Sequence, residues 1–184
     1  MIKIIIIIFS LLLLSPLARF VLTPIISKTN YYIYLNSIFL IKQKNNIVKI
    51  HLGSIYDLFK TFPLNKRNIK KDIFIYLLDG LLKICIKIEN KEINTNTQIV
   101  ITTFFINKKT ATRFGFSTLY PNYLTYIFFY LKICDIIIFI FFTKDKISFP
   151  DIHKLLKFKI LASELLLHKE VIEKSLNNLK IRNS

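Results

Sequence analysis

The sequence is poor in several residues that common catalytic sites require. Its 184 residues include three glycines, two cysteines and no tryptophan. With so few glycines, a loop that cradles a phosphate by bare backbone is not expected, and no Walker, GxGxxG, HExxH, GxSxG or EF-hand pattern is present. Cys85 and Cys134 lie in apolar runs without the CxxC or Cys/His spacing of a zinc site. We therefore expect buried free thiols and no bound metal.

Acidic residues are also scarce. Eleven Asp and Glu face 27 Lys and Arg, which gives a formal net charge of +16. Such an excess predicts an anionic partner, either a membrane surface, a nucleic acid or a phosphorylated ligand. The chain is also rich in Ile, Asn, Phe and Tyr, so a compositional bias explains part of its basicity equally well. Its 53% hydrophobic content favours a membrane over nucleic acid.

Residues 1–28 form a hydrophobic segment that is typical of an anchor or a signal peptide. Lys3 precedes an uncharged run over residues 4–18, and extension through Arg19 gives an apolar stretch over residues 4–26. That stretch is long enough to span a bilayer. An uncleaved anchor, a cleaved signal and a helix docked on the protein all fit, and we favour an uncleaved anchor or a membrane-surface hairpin.

Residues 29–184 are predicted to form a single basic α+β domain. Runs of β-branched and aromatic residues alternate with segments of helical periodicity, which indicates a small mixed sheet covered by helices. Asn45-Asn46 predicts a hairpin turn, and Ser54 with Asp57 predicts a capping box. We expect strands near 31–34, 38–42, 46–52 and 98–106, and helices near 54–62, 69–89, 107–114, 123–142 and 152–181.

The segment 123–142 has three interpretations. Its twenty residues are apolar except for Thr125, Lys132 and Asp135. Insertion of its Leu, Ile and Phe side chains would contribute about 4 to 8 kcal/mol, and the two charges would cost roughly 5 to 7 kcal/mol. The sum is near zero. We favour a helix packed on protein, beside the alternatives of a second membrane span and of two buried strands.

One stretch resembles a known family. The strand QIVITTFFI is followed by NKKTATRFGF, in which Asn107, Ala111, Phe114, Gly115 and Phe116 approximate a pattern of the GNAT N-acyltransferases. In that family the pattern follows a strand beside the acyl-CoA site. Here the alanine comes one position late, and the pyrophosphate signature of the family is absent. The resemblance implies acyl-CoA as a cofactor, which no other feature of the sequence predicts.

If the protein has a small-molecule pocket, we expect it where the strands that end at His51 and Ile106 meet two helix caps, Ser54 and Asn107; the alternative is that there is no small-molecule site. Helix N-termini bind anions readily. The polar residues of this pocket would be Asn107, Thr110 and Arg113. A second hypothesis makes His51 a general base with Asp57 nearby, although a histidine beside a turn is more typical of a structural role.

The densest basic run comprises Lys66, Arg67, Lys70 and Lys71. These residues are predicted to contact an anionic lipid surface, or nucleic acid in an alternative interpretation. The sequence therefore predicts a membrane-associated, non-catalytic protein with an N-terminal anchor and a basic domain on the cytoplasmic face. The alternatives are a GNAT-like N-acyltransferase that uses acyl-CoA and a nucleic-acid-binding protein.

Overall fold

The computed structural model describes residues 32–62, 69–144, 149–151 and 154–181. The predicted anchor, residues 1–28, lies outside them. Within the described ranges the chain forms a six-stranded mixed sheet and seven helices, which confirms the α+β prediction. The strands are β1 (Ile33–Tyr34), β2 (Phe39–Lys44), β3 (Ile47–Leu52), β4 (Gln98–Thr103), β5 (Ser117–Leu119) and β6 (Leu156–Leu161). The helices are α1 (Ile55–Thr61), α2 (Lys70–Glu89), α3 (Lys108–Arg113), α4 (Tyr123–Leu131), α5 (Ile133–Lys144), α6 (Ala162–Leu167) and α7 (Lys169–Ile181).

The sheet consists of two antiparallel ribbons joined along one parallel pair. Its strand order is β1-β2-β3-β4-β6-β5, and only β3 and β4 run parallel. A parallel pair needs a long crossover, which the twenty-residue helix α2 supplies. The predicted β2–β3 hairpin is confirmed, because Asn45 adopts a left-handed conformation with φ 53° in the turn.

One face of the sheet holds the hydrophobic core. Ile41, Ile50, Ile101 and Phe158 align in a row across four strands, and all four are buried. The long helix α2 packs over this face, and α6 and α7 pack beside it. Because side chains alternate between the two faces along a strand, the residues next to each of these four on its own strand point away from the core.

Two local predictions of helix starts are confirmed. Ser54 caps α1: its side-chain oxygen accepts a hydrogen bond from the Asp57 N–H, and its own backbone N–H donates to the Asp57 carboxylate, which completes the capping box. Asn107 caps α3 through its side-chain oxygen, which accepts from the Thr110 N–H at 2.8 Å. Gly115 follows α3 with φ 81°, the left-handed value expected there.

The predicted helix over 152–181 is wrong in its first part. Leu156–Leu161 is strand β6, which pairs with both β4 and β5, and α6 and α7 follow as separate helices. The sequence LKFKIL alternates apolar and basic residues, and this period of two prevails because β4 offers a partner for the whole strand. Strand β5 was not expected at all.

The segment 123–142 is helical but is not one helix. It divides at Lys132 into α4 and α5, and Lys132 closes α4 as its C-cap. No helix in the described ranges has both the length and the apolar character that a bilayer crossing requires.

Candidate functional site

The face of the sheet opposite the core carries a group of lysines. The register places Lys42 of β2 opposite Lys49 of β3, and Lys49 beside Val100 of β4. Val100 in turn lies opposite Lys159 of β6, so three lysines share one row across four strands. Lys44 and Lys157 lie in the adjacent rows. The lysine face is defined here by its five members: Lys42, Lys44, Lys49, Lys157 and Lys159.

The lysine face has no acidic strand residue among the described positions. Side chains alternate between the two faces along β2, β3, β4 and β6. The other residues of these strands on the lysine side are Leu40, Ile47, His51, Gln98, Val100, Thr102 and Leu161. Lys44 and Lys49 are exposed, and the other three lysines are half-buried. The ion pairs Lys83–Asp79 and Lys169–Glu89 lie in the helical layer. The charges that these strands contribute to this side of the sheet are therefore all positive.

His51 reports the electrostatic character of this face. Burial is the main cause that lowers the pKa of its imidazole to about 4, and the charges of Lys132, Lys49 and Lys42 contribute in that order of importance. Its Nε2 atom is buried and has no hydrogen-bond partner among the described residues. His51 is therefore a neutral ring at physiological pH, and burial and the charges of these three lysines both oppose its protonation.

The described chain begins at the lysine face. The Tyr32 ring packs edge-on against His51, with 6.0 Å between centroids, and the Lys42 Nζ lies 6.0 Å from the centre of the Tyr32 ring. The segment that precedes Tyr32 in the sequence is the predicted anchor.

The sheet is incompletely paired near His51. The parallel pairing of β3 and β4 ends at Ile50 and Ile101, although β3 continues to Leu52 and β4 to Thr103. Just beyond β4, Phe104 and Phe105 pack on Phe139 of α5, with ring centroids 5.3 and 5.8 Å apart, respectively. Helix α5 thus packs against the chain at this end of the sheet.

The first helix cap of the predicted pocket, Ser54, is at this same end of the sheet and already holds a carboxylate. Asp57 is buried, and it accepts hydrogen bonds from the Ser54 N–H at 2.7 Å and the Ser54 hydroxyl at 3.0 Å. The Tyr34 hydroxyl donates to both carboxylate oxygens at 3.3 Å. Burial and the Asp57 charge, together with this hydrogen bond, raise the pKa of Tyr34 to about 12. The negative charge that this helix start attracts is the protein's own.

The second predicted group comprises Asn107, Thr110 and Arg113. All three lie on or next to α3, where the Asn107 side chain is engaged as the cap, Thr110 is half-buried and Arg113 is exposed in the last turn. The apolar members of the GNAT-like stretch, Ala111, Phe114 and Phe116, are buried. They line an apolar cavity of about 20 Å³ between α2 and the sheet.

The predicted basic run divides at the start of α2. Lys66 and Arg67 lie outside the described residues, Lys70 is exposed and Lys71 is half-buried. Sequence reasoning missed the lysine face, because it assigned Lys157 and Lys159 to a helix. The alternation in LKFKIL, compared with that of IVKIHL in β3, was the signal that could have revealed it.

Comparison with known protein families, with curated proteins and with solved structures found no match to this chain. Among the described residues, no cluster of three His, Cys, Asp or Glu side chains could hold a metal ion. The chemistry available at the lysine face is the electrostatic attraction of anions, with the apolar stems of the lysines beside Val100.

Proposed function

We propose that this protein associates with the anionic surface of a membrane through the lysine face, with its N-terminal segment as an anchor and the basic domain on the cytoplasmic side. The observation that carries the proposal is the row of Lys42, Lys49 and Lys159, in which two lysines stand directly opposite each other. Like charges directly opposite each other destabilise a sheet, and an anionic partner that neutralises them would remove this destabilisation.

The expected strength is consistent with peripheral binding. A lysine near an anionic leaflet contributes about 1 kcal/mol, so five lysines supply roughly 5 kcal/mol. This attraction falls off within a Debye length of about 8 Å at physiological ionic strength. The lysine face would thus hold the protein flat against the leaflet in a salt-sensitive manner, while the anchor would provide a salt-resistant attachment.

Lipid is favoured over nucleic acid because the predicted anchor precedes Tyr32 in the sequence, and Tyr32 lies beside His51 and Lys42 of the lysine face. Segments close to a membrane anchor on the cytoplasmic side are enriched in Lys and Arg. A nucleic acid would need the same lysines and would compete with the leaflet for them.

The test is vesicle flotation of the full chain. Vesicles that mix phosphatidylcholine with phosphatidylglycerol are compared with vesicles of phosphatidylcholine alone. The variant Lys42→Gln/Lys49→Gln/Lys159→Gln removes three charges from the face. The control Lys91→Gln/Lys174→Gln/Lys180→Gln removes three charges elsewhere. We expect the first variant alone to lose most of its preference for phosphatidylglycerol. An equal loss of the preference for phosphatidylglycerol in both variants would contradict the proposal. If the unmodified protein binds single-stranded DNA more tightly than it binds the phosphatidylglycerol vesicles, the nucleic-acid alternative is supported.

A second candidate is the GNAT-like acyltransferase. It is favoured by one observation, the end of β3–β4 pairing beside His51 and close in sequence to the Asn107 cap. In proteins with parallel sheets, ligands bind at the carboxyl ends of the parallel strands. Calorimetric titration with acetyl-CoA and with a long-chain acyl-CoA is the test, with Asn107→Ala as the comparison. No heat at high ligand concentration would remove this candidate.

A further inference from the structure

Three of the five lysines of the lysine face lie together at the β2–β3 hairpin. Lys42 stands directly opposite Lys49, and Lys44 follows two residues after Lys42 on the same side of β2. Opposed side chains lie about 5 Å apart at their Cβ atoms, residues two apart on a strand roughly 7 Å, and diagonal neighbours about 7 to 8 Å. We call Lys42, Lys44 and Lys49 the hairpin cluster. Each carries its ammonium group on a flexible four-carbon stem, so the three groups can converge on a single anion.

The other two lysines of the face are set apart from this cluster. Strand β4 separates them from it and contributes Gln98, Val100 and Thr102 to this side, none of which is charged. Lys159 stands two strands from Lys49 in the same row, a distance of roughly 10 Å at the usual strand spacing. The positive charge of the face is therefore divided into a cluster of three and a pair.

The core holds the hairpin cluster together. Ile41 and Ile50 pair on the buried side of the same two strands, and a shift of register would expose them. Neither β2 nor β3 contains an acidic residue. The Lys42 Nζ lies 6.0 Å from the centre of the Tyr32 ring, and the face of an aromatic ring attracts a cation. The fold thus keeps three cations close together without a carboxylate from their own strands.

We propose that the hairpin cluster binds the phosphate monoester of a lipid headgroup, the group that phosphatidic acid presents. The inference rests on the proposed function and names the headgroup that the lysine face selects. A phosphate monoester carries a charge of about −1.5 to −2 at pH 7 and three acceptor oxygens. The phosphodiester of phosphatidylglycerol or of a nucleic acid carries a single negative charge. The cluster matches the monoester, because its three ammonium groups can each donate to one of the three oxygens.

A lipid suits this position better than a free phosphate ester. Lys44 and Lys49 are exposed on a strand face, where a headgroup in a flat leaflet can reach them. Lys157 and Lys159 lie on the same side and would contact neighbouring headgroups at the same time. These additional contacts raise the overall affinity for a leaflet, because they form within a complex that already exists. A free ester gains only the contacts with the hairpin cluster.

The test compares two kinds of anionic vesicle in flotation of the full chain. One contains phosphatidic acid in phosphatidylcholine, and the other contains phosphatidylglycerol at twice that mole fraction, so that its surface carries at least as much charge. Vesicles of phosphatidylcholine alone report the contribution of the N-terminal segment. Attraction by surface charge alone predicts that phosphatidylglycerol binds at least as tightly. We expect the unmodified protein to bind the phosphatidic acid vesicles roughly tenfold more tightly, about the effect of one additional charge-assisted hydrogen bond.

Matched variants assign this preference to the cluster. Lys42→Gln/Lys49→Gln removes two charges from the hairpin, and Lys157→Gln/Lys159→Gln removes two charges from β6 on the same face. We expect the first variant to lose the preference for phosphatidic acid, and the second to bind both vesicles more weakly while it keeps the preference. Lys44→Gln/Lys49→Gln, which alters only exposed side chains, should behave like the first variant. Circular dichroism spectra check that all three variants fold.

The outcomes separate this inference from the proposed function. If the unmodified protein binds phosphatidylglycerol at least as tightly, or if the hairpin and β6 variants lose the preference equally, the inference is overturned and the proposed function stands. If the protein binds neither anionic vesicle more tightly than phosphatidylcholine alone, both are overturned.

Glycerol 3-phosphate, the same headgroup without acyl chains, tests the source of the monoester. Calorimetric titration measures its affinity for the protein in the absence of vesicles. We expect this binding to be far weaker than that of the phosphatidic acid vesicles. Equally tight binding would overturn the assignment to a lipid in favour of a soluble phosphate ester.

Discussion

Lys42 and Lys49 stand directly opposite each other on the antiparallel strands β2 and β3. Side chains at such positions lie about 5 Å apart at their Cβ atoms, close enough for their charges to interact. The hairpin that holds them is also required for the core, since Ile41 and Ile50 form the adjacent row on the buried side. The juxtaposition of the two lysines is therefore built into the fold and cannot be relieved by a shift of register, which would move the core residues to the other face.

Neutralisation of one member of this pair should stabilise the protein. We expect Lys49→Gln to raise the free energy of unfolding by about 0.2 to 1 kcal/mol at low ionic strength. In 1 M salt, where the Debye length is about 3 Å, the gain should nearly vanish. Urea denaturation at both salt concentrations measures the effect. Lys180→Gln, on α7, is the control, and a salt-independent gain would argue against repulsion as the cause.

The stability of the fold should depend on pH through His51. Its pKa in the folded protein is about 4, below the ordinary value of 6.5, so the unfolded chain binds the proton more tightly. Stability from this residue is complete above pH 6.5 and is lost as the pH falls towards 4, by at most roughly 3 kcal/mol. His51→Phe keeps a ring beside Tyr32 but cannot titrate. Its free energy of unfolding should change less between pH 7 and pH 4.5, and an unchanged slope would contradict the prediction.

The position of Lys132 can be tested through the same histidine. Removal of the positive charge in Lys132→Gln should raise the pKa of His51, because this lysine is the largest of the three charge contributions that lower it. NMR titration of the imidazole protons measures the pKa. Lys144→Gln, at the far end of α5, is the control. If the pKa of His51 is the same in the Lys132 variant as in the unmodified protein, the charge of Lys132 at the end of α4 does not act on the lysine face.

A substitution at Gly115 tests the packing of α6 against the start of β5. Gly115 has φ 81°, and a Cβ atom there would overlap the His168 ring and lie 3.0 Å from the Ile160 Cδ1. We expect Gly115→Ala to lower the free energy of unfolding by about 1 to 3 kcal/mol, partly from backbone strain. The double variant Gly115→Ala/His168→Ala should recover the part that comes from the ring. Thermal denaturation of the variants, with His168→Ala alone as reference, measures that recovery of stability. If the double variant recovers no stability, the loss comes from backbone strain at Gly115 and not from the His168 ring.

Features that depend on neighbouring residues could be predicted from the sequence. The caps at Ser54 and Asn107 and the Asn45–Asn46 turn are encoded within four residues, and all three were identified. Strand β6 was misassigned because Leu155, Phe158 and Leu161 have helical spacing, while the intervening residues alternate as in a strand. Only a partner strand selects between these periods, and β4 lies more than fifty residues earlier.

The lysine face could not be predicted for the same reason. It depends on the register of β2, β3, β4 and β6, which arises from contacts between segments distant in sequence. A total charge of +16 indicates an anionic partner but does not say which lysines lie together. The division of 123–142 at Lys132 is likewise not specified by its composition, which is apolar on both sides of this residue.

The four-residue parallel seam between β3 and β4 has a consequence for the order of assembly. All three strands of the first ribbon, residues 33–52, are available as soon as this part of the chain has left the ribosome. The second ribbon, β4, β6 and β5, needs β6, which begins more than a hundred residues after the first ribbon ends. An isolated hairpin is marginal in water, and this one carries repelling charges. It must therefore wait for α2 to cover its apolar side. Non-local closure of the seam then becomes the slow event in folding, and pulsed hydrogen exchange should find the β4–β6 amides protected at the same time as those of the seam.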